Sequence, residues 1–349
     1  MGVHVPGIVS KNGGLIDDTW NVNAQMMEAY INDVYTEKSD FDSYVSDVFN
    51  VKKSDRFGEK IGSVTTVGNF KPMTADGASA PKVDIISGPT KTLVHTTFKE
   101  QFRITREAKE DAEIDMMQAK ARGMVQAYKR TRAAFASKAL TANAEAASTV
   151  TSFTFEGVSG FDCTSADGKA VFAVDHPLVV NDGITQSNIF TNAFGNDDKI
   201  LNILANYGKN FLNNSGHVMG YNFDTIIIPS NCPNLEAVVK KVIRTELQVG
   251  STNNDINVNK GLWNLIIDPS WQVSAGAEPY ILMSSAANKE LLGNKFYDRV
   301  ALDVTAHVDQ DTDDMIWNGY ARMSVGFPSW QHVIMGGAAH GSTYSDPTV

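Results

Sequence analysis

Residues 105–141 read TREAKEDAEIDMMQAKARGMVQAYKRTRAAFASKALT, and this stretch decides the fold. Apolar or small residues recur at Ile114, Met117, Ala121, Met124, Tyr128, Thr131 and Phe135. Spacings of three and four place them along one helical stripe. Acids crowd the first half (Glu107, Glu110, Asp111, Glu113, Asp115), and bases crowd the second (Lys120, Arg122, Lys129, Arg130, Arg132, Lys138). That order complements the helix dipole at both ends, and Thr105 is placed to cap the start. About 36 residues at ~1.5 Å each make a rod of roughly 54 Å. Such a rod outruns an ordinary globular core, so its surface is expected to lie on something extended. A long core helix and a coiled coil are the plainer readings. The stripe includes Ala121 and Thr131, which argues against a coiled-coil seam.

The sequence before the helix divides in two. Trp20, Ala24, Met27, Ile31 and Val34 have helical spacing after Asp17, Asp18 and Thr19, which suit a helix start. Phe41, Val45 and Val48 predict a second short helical turn. From Arg56 the texture changes. Val64, Val67, Val83, Ile85 and Ile86 give modest strand signals around the tip Lys71 to Pro81, which is rich in Pro, Gly and small residues. The flanks are too thinly apolar to bury both faces. We read a two-stranded ribbon that leaves the body, and because such a ribbon is marginal alone, support from outside the subunit's own core is expected. Val94, Thr96, Phe98, Phe102 and Ile104 then alternate into the helix.

After the helix, 150–181 reads as β-rich, with Phe153, Phe155, Val158, Phe161 and then Ala170 to Val174. From Asp197 the texture is α/β. Ile200, Leu201, Leu204, Tyr207, Phe211 and Leu212 predict one helix; Leu235, Val238, Val239 and Val242 predict another. Thr225 to Pro229 is a short apolar strand of buried type. Gln248 to Gly261 reads as a polar loop, and Leu262 to Ile267 and Tyr280 to Met283 as strands. The end is the clearest β signal. Val300, Leu302, Val304, Ala306 and Val308 alternate with polar residues, Asp309 to Asp314 makes a turn, and Met315, Trp317, Ala321, Met323 and Val325 return.

Bulk properties narrow the function. The chain has 349 residues, 42% hydrophobic, with a formal net charge of −10. That is enough for a real core, and it disfavours sequence-independent nucleic-acid binding. No run of about eighteen apolar residues predicts a membrane span, and Met1 to Lys11 does not read as a secretory signal. Two isolated cysteines, Cys163 and Cys232, suggest buried thiols in a reducing compartment.

Catalytic signatures are absent or fragmentary. Asp167-Gly168-Lys169-Ala170 lacks the first glycine and the hydroxyl of a phosphate loop. Asp309, Asp311 and Asp313 open like a calcium loop, but Asp314 stands where Gly is needed and Tyr320 where a bidentate Glu is needed, so a solvated hairpin turn is the expectation. Asp175-His176-Pro177 offers half of an acid–base pair, and its plainer reading is a turn with His176 packed. Asn213-Asn214-Ser215 fits the glycosylation pattern only formally. No catalytic, cofactor-binding or metal-ligating residue is assigned.

The order of parts carries more. An arm, a projecting ribbon, one long helix, an α/β body and a terminal hairpin together resemble the major capsid proteins of tailed bacteriophages, a fold shared with encapsulins and the herpesvirus capsid floor. Locally, Val171-Phe172-Ala173-Val174-Asp175-His176-Pro177-Leu178 resembles the Phe-x-x-x-His-Pro stretch of Mu-like head subunits. Trp317-Asn318-Gly319-Tyr320-Ala321-Arg322 through Val325-Gly326-Phe327 is similar to capsid carboxyl termini.

The resemblance implies an α+β fold. It has an N-terminal arm over 1–55 and an extended β-loop over 56–104. The spine helix and first part of a peripheral domain cover 105–196, an axial domain 197–285, and the second peripheral part with its hairpin 286–349. It implies a self-assembling shell of hexamers and pentamers around packaged double-stranded DNA, formed in the host cytoplasm. Portal, scaffold and decoration proteins are implied partners; the scaffold is expected as a separate protein because no large pre-domain precedes the arm. Neither membrane nor cofactor is implied. An encapsulin-type nanocompartment is the nearest alternative, and a hydrolase using Asp175 and His176 is the alternative from another class.

Overall fold

The computed structural model describes residues 27, 29–63, 72–73, 79, 88–110, 114–144, 149–178, 183–195, 198–214, 216–249, 255–338 and 346–347. In chain order, helix α1 (29–36) and α2 (Asp40–Val48) precede strands β1 (Asn50–Lys53), β2 (Gly58–Gly62), β3 (Thr90–Val94) and β4 (Thr96–Ile104). Helices α3 (Arg106–Glu110) and α4 (Ile114–Thr141) follow, then β5 (Ser152–Phe155), β6 (Val158–Asp162), β7 (His176–Pro177) and β8 (Thr185–Gln186). The remainder is α5 (Lys199–Lys209), β9 (Thr225–Pro229), α6 (Pro233–Arg244), β10 (Asn264–Asp268), β11 (Tyr280–Met283), α7 (Ser285–Glu290), β12 (Lys295–Val308), β13 (Met315–Gly326) and β14 (Val333–Gly336). The fold is α+β. Two compact units share the chain, and α4, β12 and β13 each contribute to both.

The first unit holds Met1–Ser39, Thr96–Thr131 and Val300–Arg322. Here β4, β13 and β12 lie side by side in one sheet. The alternation read in β12 holds through Ala306: Val300, Leu302, Val304 and Ala306 are half-buried and the residues between them are exposed, whereas Val308, read on the same face, is exposed. The helical stripe holds too. Ala121, Met124 and Val125 bury themselves with Ile104, Met315 and Trp317, and Phe102 stacks on Trp317 at 6.0 Å. Gly319 permits this approach, since a Cβ there would stand 3.2 Å from the Met124 sulfur. The Thr105 hydroxyl accepts a hydrogen bond from the Ala108 N–H, as an N-cap does. The helix is described as Arg106–Glu110 and Ile114–Thr141, a 28-residue α4 about 42 Å long.

The helix read over Trp20 to Val34 is present in its described part. Ile31 and Val34 of α1 belong to the same buried cluster as Ala121 and Trp317, so this part of the arm is core of its own subunit. Lys129 on α4 donates to the backbone carbonyls of Val34 and Glu37, where α1 ends. Trp20 and Ala24 lie outside the described residues.

The second unit holds Asp40–His95, Arg132–Arg299 and Met323–Val349. Its central sheet runs β10-β9-β11-β14, with β9 and β10 parallel and β11 antiparallel to both β9 and β14. Strands β9, β11 and β14 are buried at every position. This is why they read as unbroken apolar runs. Helix α6 starts on Pro233, where a missing N–H costs nothing. Beyond Thr131 most of α4 is buried, including Ala133, Phe135, Ala136, Ala139 and Leu140; the plainer core-helix reading applies to that half.

Helix α2 matches the short helix read from Phe41, Val45 and Val48 and runs nine residues. Two local readings need correction. Helix α5 stops at Lys209, so Phe211 and Leu212 fall beyond it. Ala170 to Ala173 is buried and Val174 half-buried, but the run is not a strand. Its backbone bonds go instead to Asn188, whose side chain accepts from the Ala173 N–H and donates to the Val171 carbonyl.

The ribbon is partly described. Strands β2 and β3 pair antiparallel from Gly58↔Val94 to Gly62↔Thr90. At this root Ile61 and Leu93 bury themselves against Tyr297. Lys91 donates to Thr164 and pairs with Asp162 at 2.8 Å. The root is therefore anchored in its own subunit, where support from outside its own core was expected. Val94 faces solvent. Val64, Val67, Val83, Ile85, Ile86 and most of the tip lie outside the described residues.

Candidate assembly surfaces

The side chains singled out for chemistry are brought into structural roles. His176 is fully buried and lies stacked on Trp330, with ring centroids 4.2 Å apart. Its Nδ1 meets Asp167 at 2.7 Å and its Nε2 meets Asn188 Oδ1 at 3.2 Å. Asp175, its sequence neighbour, pairs with Lys169 instead. The carboxyl of Asp167 is held below its ordinary range by hydrogen bonds, chiefly from His176, that outweigh the opposing effect of burial. Ser165 donates to Asp167 rather than to the imidazole. A serine that bonds the carboxylate is not activated by the histidine, so Asp175 and His176 form no hydrolytic pair.

The two cysteines are buried, and neither is in a disulfide. Burial pushes Cys163 up to about 11, away from the thiolate that reactive cysteines need. Cys232 caps α6. The Asp309 to Asp314 turn closes the hairpin, with the Asp309 N–H donating to the Asp314 carbonyl. Its acids face cations. Arg103 lies 3.5 Å from Asp309 and 3.4 Å from Asp314, and Arg106 lies 2.8 Å from Asp313. Asp309 also caps the Asp311 N–H. Among the described residues no group of three or more His, Cys, Asp or Glu is placed to hold a metal. Asn214 donates to Ser63 beside the ribbon root.

Two polar nodes in the second unit have no counterpart in the sequence reading. Asp268, at the end of β10, is fully buried; Ser137 of α4 donates to it at 2.5 Å, and the N–H groups of Ser270 and Trp271 donate to its other oxygen. Burial raises its pKa above the ordinary value despite these bonds. The polar step after Leu265-Ile266-Ile267 was its only sequence signal. The second node sits where the ribbon meets β4. Buried His95 lies between Ser54 at 3.0 Å and Ser324 at 2.9 Å, and Ser54 also donates to Glu59 at 2.7 Å.

With these groups satisfied internally, what remains is surface. Phe57 beside the ribbon root is 76% exposed. Leu247, Ile256, Val258 and Leu262 are also exposed, in and beside the loop read as polar. Isolated exposed apolar side chains are ordinary, but grouped ones mark contact sites. Among the described residues no helix is long and apolar enough to cross a membrane.

Residues 89–335 match the model of a family described as phage capsid protein, well over half of the 349 residues. The chain belongs to that family, and it is a structural protein of a bacteriophage capsid shell. No curated protein matches it. Among solved structures it is similar to the virus-like particle from Pyrococcus furiosus, at 8% identity and TM-score 0.47 over 89% of this chain and 98% of that one. It is also similar to the capsid of the empty GTA particle, at 11% identity and TM-score 0.48 over 86% and 90%. A chain of Mycobacterium phage Bobi matches at 14% identity and TM-score 0.47 over 84% and 89%. The family assignment rests on the match over residues 89–335.

Proposed function

We propose that this chain is the major head subunit of a tailed phage. Many copies assemble into hexamers and pentamers of an icosahedral shell that encloses packaged double-stranded DNA. The family match across 89–335 carries this reading. The sequence order supports it: arm over 1–55, extended β-loop over 56–104, spine helix with the first peripheral part over 105–196, axial domain over 197–285, and hairpin part over 286–349. The net charge of −10 suits a container wall, because tight electrostatic binding of packaged DNA would oppose loading and release. The subunit performs no catalysis. Its partners are copies of itself, a separate scaffold, a portal and decoration proteins, and assembly takes place in the host cytoplasm. The test is nuclease treatment of particles purified from producing cells. Protected double-stranded DNA is expected inside them, whereas particles that protect only cargo protein would indicate a nanocompartment.

A further inference from the structure

Within the second unit, a cavity of about 140 Å³ lies where the base of the ribbon meets the body. Ser63 and Pro89 wall it on the ribbon side, and the Ser63 N–H donates to the Pro89 carbonyl at 3.1 Å. Asn214, reaching from the body, donates to the Ser63 hydroxyl at 3.0 Å. Two more prolines, Pro177 and Pro328, and the indole of Trp330 supply most of the remaining wall. No lysine or arginine lines the cavity, and Asp167 is its one carboxylate.

That carboxylate is almost out of water, with its side chain 8% exposed. One oxygen accepts from the Ser165 hydroxyl and from the Lys169 N–H at 3.0 Å, and the other meets His176 Nδ1 at 2.7 Å. Despite burial, these bonds hold the carboxyl below its ordinary range, so it is charged at neutral pH. A carboxylate offers about four lone-pair sites. Three are taken, and one site on the oxygen facing His176 is left over. Lys169, the nearest base in the sequence, turns its ammonium to Asp175 instead. A desolvated charge beside an apolar cavity is completed by a cation that fits there. A divalent metal would want about six oxygens around it, and three proline rings and an indole do not offer them. The same walls suit an aliphatic chain.

We propose that this cavity binds the primary ammonium of a small aliphatic amine, with its charge on Asp167 and its carbon chain against the proline rings. The bound amine touches the ribbon base and the body together, so it braces one against the other. This binding goes beyond the shell reading and does not depend on it.

The test is calorimetric melting of the purified chain with n-butylammonium chloride, set against sodium chloride, sodium butyrate and butan-1-ol at the same concentration. A ligand this small that keeps within the affinity ceiling for tiny ligands binds at about 1 mM. At about 100 mM it should raise the melting temperature by about 3–6 °C, and the three controls should not. Ser63→Leu, which fills the cavity from the ribbon side, and Asp167→Asn, which removes the charge, should each lose the shift. Circular dichroism checks that each variant is folded, and Ser63→Leu carries the comparison alone if Asp167→Asn is not. Nα-acetyl-lysine amide presents the same ammonium from a peptide backbone. A matching shift would admit a lysine side chain of another protein, whereas a shift from n-butylammonium alone would restrict the site to free amines. No shift in wild type, an equal shift with butan-1-ol, or a shift that survives in Ser63→Leu would overturn the inference.

Discussion

Ile31→Ala decides whether the described part of the arm is core or a free extension. Ile31 is 3% exposed and shares a buried cluster with Ala121, Met124, Val125 and Trp317. Removing a buried isoleucine side chain to alanine costs about 2–5 kcal/mol, from lost transfer and the cavity left behind. Helix α1 is short and has a way to relax, which argues for the lower half of that range, ~3 kcal/mol. At roughly 2–4 °C per kcal/mol for a domain of this size, the melting temperature of the unassembled subunit should fall by about 6–12 °C. Lys129→Met should act in the same direction, because Lys129 donates to the last carbonyls of α1. Circular-dichroism melting at a concentration below assembly, with hydrogen exchange across 117–125, reads both effects. An Ile31→Ala melting temperature within a degree of wild type, with unchanged exchange, would refute the packing of α1 into the core.

Ala121→Pro removes a helix bond and clashes with the preceding turn at a fully buried position, a cost of about 3 kcal/mol or more; soluble shells of normal size would show α4 to be misread. Asp268→Asn keeps the acceptor for Ser270 and Trp271 and removes a buried charge. Wild-type Asp268 has a raised folded pKa, so the native state holds the proton more tightly, and its contribution to stability is lost as pH rises above the ordinary 3.8. The variant should therefore lose less stability than wild type on going from acid to neutral pH in denaturant titrations, and identical pH slopes would contradict the account. Excising Pro72 to Ala80 and closing with two glycines should leave melting nearly intact, because loop length is thermodynamically cheap, while shells fail or dissociate at lower denaturant. Loss of the fold would place the tip in the subunit's own core.

Long periodic elements were legible in the sequence, and contacts between distant residues were not. The stripe of α4 and the alternation of β12 follow from repeating burial on one face, which any single sequence displays. Ala170 to Val174 misled because an apolar run reads alike whether its backbone pairs with a strand or with an asparagine fifteen residues on. His176 was read beside Asp175, its chain neighbour, yet the fold turns it toward Asp167. The loop at 248–261 read as polar because composition counts asparagines without saying which way they face. The ribbon read as supported from outside since Ile61 and Leu93 are sparse in sequence and find Tyr297 only through tertiary packing.

The central claim is that the purified chain builds shells. Light scattering coupled to size exclusion, with negative-stain microscopy of the same fractions, tests it most directly. The account predicts hexamers, pentamers or closed particles of uniform diameter. A folded monomer that persists at high concentration would contradict it.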